Sequence, residues 1–311
     1  MLSRVAEDLY WFGRYIQRAE NTARLIAVHS DLLLDLPRNV DFSWSVLVQI
    51  LGVDAQFEAS YGDDYSETNV VRFLIIDAEN PSSIANSLRS AREILRTVRE
   101  AMPRDIWEHL NDLHLLVQDR GDKFLGRSKR LELLGKVEDM SLFIYGVLTA
   151  GMSHDVGFQF MRIGTNLEQA DMTTRIVDVR TSGLIRPTAA DEQLRPFQNI
   201  QWMSVLNSLA AYQMYRRHER ARVRGAAVLR YLSQDREFPR SVMFCLNMIA
   251  STLPTLPPNR SLERVLQRTR ALVSDANLEK LAESGLHEWI DEIQIGLAKL
   301  NDAISASYFK A

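Results

Sequence analysis

The chain has 311 residues, 46% hydrophobic and 25% charged, which suffices for an ordinary soluble core in one large domain or two intimate ones. Its net charge of −3 argues against a dedicated nucleic-acid binder, which needs a basic face, and its single cysteine, Cys245, excludes an internal disulfide and fits a reducing compartment. No apolar run reaches the roughly 18 residues of a membrane span, and Arg4, Glu7 and Asp8 interrupt any leader-like apolar stretch, so a cytoplasmic protein without membrane contact is expected.

The pattern is helical almost throughout. Apolar residues at 2, 5, 9, 12, 16, 19, 23 and 26 alternate by threes and fours, which predicts a first helix to about Leu34, stopped by Pro37. Shorter helices follow over Trp44–Leu51 and Ser66–Ile76. Asn80-Pro81 reads as an N-cap with proline in the first helical position, opening a helix to about Met102. Pro103 starts the next, which ends before Gly121, and a long amphipathic helix covers about Phe124–Ala150. Beyond Gly151 a helix spans about His154–Thr181. Gly183–Pro196, with Gly183, Pro187 and Pro196, reads as a linker or surface loop. Helices resume at Phe197–Arg217, Arg222–Gln234 and Pro239–Thr252, and after the break LPTLPPNRS two more cover Leu262–Asp275 and Leu286–Tyr308. No strand-like alternation occurs, so the expected class is all-α.

The chain also contains two pairs of matching segments. Gly13, Ala19, Glu20, Thr22 and Arg24 match Gly164, Ala170, Asp171, Thr173 and Arg175, all 151 residues on. Val71–Leu88 matches Leu229–Leu246 at an offset of 158, with seven of eighteen positions identical, and Trp44 and Trp202 share that offset. Long matches in the same order point to a tandem duplication rather than a short solenoid repeat. The expectation is one multi-helix bundle over 1–311, built from pseudo-twofold halves of about 1–150 and 151–311.

The polar residues on the matching helices are the candidate site. Arg14 and Arg18 share a helix face, as do Glu20 with Arg24 and Asp171 with Arg175, while Glu168 lies three residues before Asp171. These are surface pairs, buried structural pairs or a ligand site. In the last case Glu20, Glu168 or Asp171 serves as general acid or base, its pKa raised by burial, and Arg14, Arg24 or Arg175 holds a carboxylate or phosphate. The second match carries DxExPxS, as Asp77, Glu79, Pro81 and Ser83 and as Asp235, Glu237, Pro239 and Ser241. Helix capping explains it. The alternative is an anion site at a helix N-terminus, with Arg240 and Ser241 as its binding residues and Ser82 in place of Arg240 in the other copy. His154-Asp155 at a helix start and the basic run Arg216–Arg224 read as a cap and a solvated helix end. Cys245 in MFCLNMI reads as a core residue. No histidine lies three residues after a glutamate, so no di-iron site is expected, and no other metal site. No G-x-S-x-G, H-E-x-x-H or P-loop occurs.

Five segments in order, LSRVAEDLYWFGRYIQRAENTARL, ENPSSIANSLRSAREILR, MPRDIWEHLN, FMRIGTNLEQADMTTRIVDV and DREFPRSVMFCL, resemble the bacterial alpha-E domain family over nearly the whole chain. The resemblance implies an all-helical partner of circularly permuted ATP-grasp proteins, and often of transglutaminase-like peptidases, in a system that forms amide or peptide bonds with ATP. It implies a partner subunit that binds the ligase or its peptide-like substrate, with ATP and Mg held by that ligase and no cofactor in this chain. The alternative is a stand-alone enzyme using the Glu/Asp–Arg pairs on a peptide-like or amino-acid-derived substrate. A third reading, a ligand-free scaffold, predicts no inward cluster of charges. The family tends to read ERAE in the first motif and GRYLERAD in the second. Here Gln17 replaces the first glutamate, and Thr165, Asn166 and Gln169 replace Arg, Tyr and Arg, while Glu20, Arg24, Glu168, Asp171 and Arg175 match.

Overall fold

The computed structural model describes residues 2–35, 43–185, 198–219 and 223–309. Among them are fifteen α-helices and no strand, so the protein is all-α. No helix of the described residues is long and apolar enough to cross a membrane. The chain forms two compact units, residues 1–27, 43–168 and 308–311 in the first and 28–42 and 169–307 in the second.

The first unit is built from most of α1 (Ser3–Asp35), then α2 (Ser45–Leu51), α3 (Asp54–Tyr61), α4 (Glu67–Ile75), α5 (Ile84–Thr97), α6 (Arg104–Arg120), α7 (Arg127–Gly151) and the first half of α8 (Val156–Ile185). The apolar stripe of α1 is buried at Leu9, Phe12, Ala19, Ala23 and Ile26. α6 packs against both α5 and α7. Phe57 stacks on Tyr61 and Tyr65 and meets Phe73 edge-on. Arg130 is fully buried, its guanidinium 5.4 Å from the Trp44 ring and 2.6 Å from Glu67 Oε1, which ties α7 to α4.

The second unit holds the C-terminal part of α8, then α9 (Gln198–Ser208), α10 (Tyr212–His218), α11 (Gly225–Gln234), α12 (Val242–Thr252), α13 (Arg260–Ser274), α14 (Leu278–Glu283) and α15 (Leu286–Tyr308). α12 packs on α11 and α13, and α14 on α11. Trp289 of α15 donates its indole N–H to the Leu272 carbonyl at 3.1 Å.

Several boundaries differ from expectation. Asn80 is not the N-cap. Its Oδ1 accepts from Ser82 N at 2.9 Å, a turn closes from Ser83 N to Asn80 O, and Ser83 caps α5 by accepting from Asn86 N at 3.2 Å. Pro81 therefore lies in the turn rather than in the helix. The segment Asp235–Phe244 repeats this geometry in the second unit: Asp77 and Asp235 accept from Glu79 N and Glu237 N at 2.9 and 2.8 Å, and Ser241 caps α12 through Phe244 N at 3.0 Å. Gly183 continues α8 rather than opening a loop, while 186–196 lie outside the described residues. The helix expected over 197–217 breaks after Ser208, where Ala210 takes φ 50° and Ala211 N returns to Leu206 O at 2.7 Å. This left-handed position is usually held by glycine or asparagine, so alanine gives no signal there.

Within the first unit, α1 and α8 cross with their backbones nearly touching. A Cβ built on Gly13 would collide with the Met161 carbonyl oxygen and stand 2.8 Å from Thr165 Oγ1. One built on Gly164 would collide with the Tyr10 carbonyl oxygen and stand 3.3 Å from Arg14 Cγ. The contacts are reciprocal, because Tyr10 and Met161, Gly13 and Gly164, and Arg14 and Thr165 are each 151 residues apart. Backbone carbonyls cannot rotate away as side chains do, so only glycine fits at either position. Gly13→Ala and Gly164→Ala are each expected to cost about 1–3 kcal/mol or more, as overpacking does. Gly146→Ala in α7, where a Cβ meets nothing within 4 Å, should instead stabilise by roughly 0.5–1 kcal/mol. Chemical denaturation of the three variants checks the contrast.

Candidate functional site

One turn beyond Gly164, the Glu168 carboxylate reaches two arginines of α1. Arg14 Nε donates to Oε2 at 2.7 Å, and Arg18 donates through Nε to Oε1 at 2.6 Å and through Nη2 to Oε2 at 3.1 Å. Arg14 and Arg18 are one helical turn apart, so both forks reach the same carboxylate. Aromatic rings back the forks: Arg14 lies 5.1 Å from the Trp11 ring centroid, and Arg18 5.6 Å from that of Tyr15. Arg14 Nη1 also donates to the Tyr10 hydroxyl at 3.3 Å, and burial pushes that phenol up to about 12. Glu168 is only 4% exposed. Burial alone would raise its pKa. The charges of Arg18 and Arg14 and their hydrogen bonds override burial and hold the carboxyl down at about 2. The expectation of a pKa raised by burial is thus corrected for Glu168, which is a locked carboxylate far from the range of a general acid or base at neutral pH.

Glu20, 2% exposed, takes two hydrogen bonds on Oε1 from Arg24, at 2.9 and 2.7 Å, and one on Oε2 from Gln17 Nε2 at 2.8 Å. Arg24 also meets Glu138 of α7 at 2.8 Å. In the second unit Asp171 pairs with Arg175 at 2.8 Å, with side chains 24% and 33% exposed. The matching acids are therefore unlike: one pair is buried and braced by Gln17 and Glu138, and the other is part-exposed. The first unit carries inward charges that the ligand-free scaffold reading does not predict, and their partners are side chains of the chain itself. Arg240 Nη1 donates to Gln169 Oε1 at 3.3 Å, and its carbonyl accepts from Thr173 Oγ1 at 2.8 Å. Ser241 Oγ caps α12 and donates to the Asp235 carbonyl. The Ser241 hydroxyl expected to hold an anion is engaged in holding the turn.

Asp155 caps α8 through Gly157 N and Phe158 N, and His154 stacks on Phe158, as expected of a helix start. Cys245 is buried and its thiol is pushed up to about 12 by burial, so it is no nucleophile. Among the described residues Asp178, His287 and Asp291 offer three potential metal-ligand atoms within 4.8 Å of one another. Both ring nitrogens of His287 already face carboxylates, Nδ1 with Asp178 at 2.8 Å and Nε2 with Asp291 at 3.6 Å, the arrangement of a protonated imidazole. Arg180 was not foreseen. It is buried, bonds only Ser204 Oγ, at 3.4 Å, among the described residues, and burial lowers its pKa to about 10.

Residues 1–309 match the family Alpha-E, described as "a predicted alpha-helical domain with a conserved ER motif". The chain belongs to the Alpha-E family. Its similar relatives include uncharacterized proteins of Mycobacterium bovis and Mycobacterium tuberculosis, each 26% identical over 324 residues that cover 96% of this chain and 36% of the relative. The Alpha-E chain thus spans about a third of the length of the curated relatives it matches. No solved structure matches it.

The ER motif gives the Glu168 site a simple account. The two dipeptides in register are Gln17-Arg18 and Glu168-Gln169, 151 residues apart. Each lacks one charged member of Glu-Arg, and the two members present, Arg18 and Glu168, bond to each other. Gln17 puts an amide donor beside Glu20, where a glutamate would set a second negative charge. Thr165 packs at the Gly13 contact, and Asn166 Nδ2 donates to the Arg162 carbonyl at 2.8 Å. Arg18 and Glu138 are the site residues that sequence reasoning missed. Arg18 was visible as the face partner of Arg14, but nothing near Glu138 marks it as the partner of Arg24.

A carboxyl with an ordinary value of 4.5 and a folded value of about 2 contributes on the order of 3 kcal/mol of stability. Because the folded pKa is depressed, that contribution is complete above about pH 4.5 and is lost as pH falls through about 2. Glu168→Gln leaves two largely buried guanidinium groups without their acid, and is expected to cost about 3–5 kcal/mol at neutral pH. The variant should also lose the part of the acid limb that Glu168 supplies, as measured by unfolding free energy against pH.

Proposed function

We propose that this Alpha-E protein is a partner subunit of an ATP-grasp-type ligase in a system that forms amide or peptide bonds. It binds the ligase or presents its peptide-like substrate. ATP and Mg belong to the ligase, and a transglutaminase-like peptidase is a further candidate partner. The observation that carries this reading is the match of nearly the whole chain to about a third of longer relatives. There the same domain is one part of a larger polypeptide, and parts joined in one chain are held at high effective concentration for joint work.

The chemistry of the motif helices favours a partner over a stand-alone enzyme. Acid–base catalysis needs a group poised near the working pH and within reach of substrate. Glu168 lies far below that range and has both oxygens bonded to arginine, and both Glu20 oxygens have donors from the chain itself. Such carboxylates hold helices in place. A cytoplasmic setting follows from the reading, since the ligase draws on ATP.

The test is recovery of the tagged chain from its native host, with mass spectrometry of the bound proteins, followed by sizing of the reconstituted pair at micromolar concentration. An ATP-grasp ligase that co-purifies and co-elutes is the expected result. Independent migration of chain and ligase would remove the partner reading.

A further inference from the structure

A cavity of about 240 Å3 in the first unit is lined by α5, α6 and the loop after α4. It lies below the roughly 300–1,000 Å3 of sites for drug-sized ligands, so its occupant is small. Ile76, Ala78, Ala85 and Val117 make its apolar wall, and Asn86, Arg89, His114 and Gln118 its polar one.

Asn86 is fully engaged in building the site. Its amide donates to the carbonyls of Asp77, Ala78 and Asn80 at 3.3, 2.9 and 2.7 Å, and its Oδ1 accepts from Arg89 Nη2. Arg89 is thereby pinned by a neutral group and has no carboxylate partner among the described residues. Its neighbour Arg92 shows the usual alternative, bonding Glu93 and Asn111 at 2.8 Å each. A guanidinium fixed by one nitrogen still presents a fork suited to a carboxylate.

His114 is the buried polar group of this cavity, 8% exposed. Burial lowers its pKa, and the charges of Arg92 and Arg89 lower it further, against a hydrogen bond with Gln118 and the charge of Glu93. The nearby Asp77 carboxylate is engaged with the Tyr61 hydroxyl at 2.6 Å and with Glu79 N. The cavity therefore combines a cation without an acid, an imidazole able to take up a proton, and an apolar wall.

We propose that this cavity binds a small carboxylic acid with a short hydrocarbon body, Arg89 pairing with its carboxylate and His114 donating a second hydrogen bond. The apolar wall selects it over inorganic anions, which have no hydrocarbon to bury. Binding and protonation of His114 are linked, because a carboxylate beside the ring favours the imidazolium form.

The experiment follows the His114 ring by NMR in the full chain while pH is varied, with and without propionate at millimolar concentration. Propionate is expected to raise the His114 pKa. Arg89→Gln should weaken binding by about tenfold or more, the loss expected for a hydrogen-bonded charge pair, with the helical fold retained by circular dichroism. Arg89→Lys keeps the charge without the fork and should fall between the two. No shift with propionate, a shift that persists in Arg89→Gln, or an equal shift with chloride or phosphate, meaning an adventitious ion only, would each overturn the proposal. The outcome does not depend on whether a ligase is recovered.

Discussion

A carboxylate that water barely reaches, held between two guanidinium groups, is the interaction on which the α1–α8 crossing depends. Removing Glu168 from water costs several kcal/mol, and one arginine in poor geometry would not restore it. Two forks meeting both oxygens at 2.6–3.1 Å do. That geometry depends on the glycines. With a side chain at Gly13 or Gly164 the backbones separate, and Glu168, one turn away, no longer reaches Arg14 and Arg18. Close packing and charge pairing are therefore one device, and loss of either part should weaken the other.

The same device limits chemistry. An acid held at about 2 stays ionised through the physiological range, and its lone pairs are already directed at arginines. Glu20 is held likewise by Arg24 and Gln17. The motif for which the Alpha-E family is described thus acts in this chain as an internal fastening. Asp171 and Arg175 of the second unit, part-exposed, are not held in this way.

Much of this fold was legible in the sequence where local physics decides. The apolar stripe of α1, the stop before Gly121 and the long helices α7, α8 and α15 follow from periodicity and breakers. α3 and α14 were not legible, because each is short and buries a single side chain, Phe57 and Leu278, so no stripe marks them. The Ala210 turn was missed because tertiary context imposes a conformation that alanine does not advertise. In the site, Arg14, Glu20, Arg24 and Glu168 were marked by residue type and register. Their true partners were hidden, because Arg18 and Glu168 lie 150 residues apart and Arg24 meets Glu138 only through folding. The direction of the Glu168 pKa was hidden for the same reason: burial can be read from a stripe, but two approaching arginines cannot.

The most direct test of the central claim is a double-mutant cycle on Arg18 and Glu168, using Arg18→Met, Glu168→Gln and the pair, with unfolding free energies measured at neutral pH. A structural clamp at the crossing predicts a coupling of about 1–3 kcal/mol, with the double variant more stable than the two single losses would sum to. A coupling below about 0.5 kcal/mol, the scale of a solvated surface pair, would contradict the account and reopen Glu168 as a group held ready for chemistry.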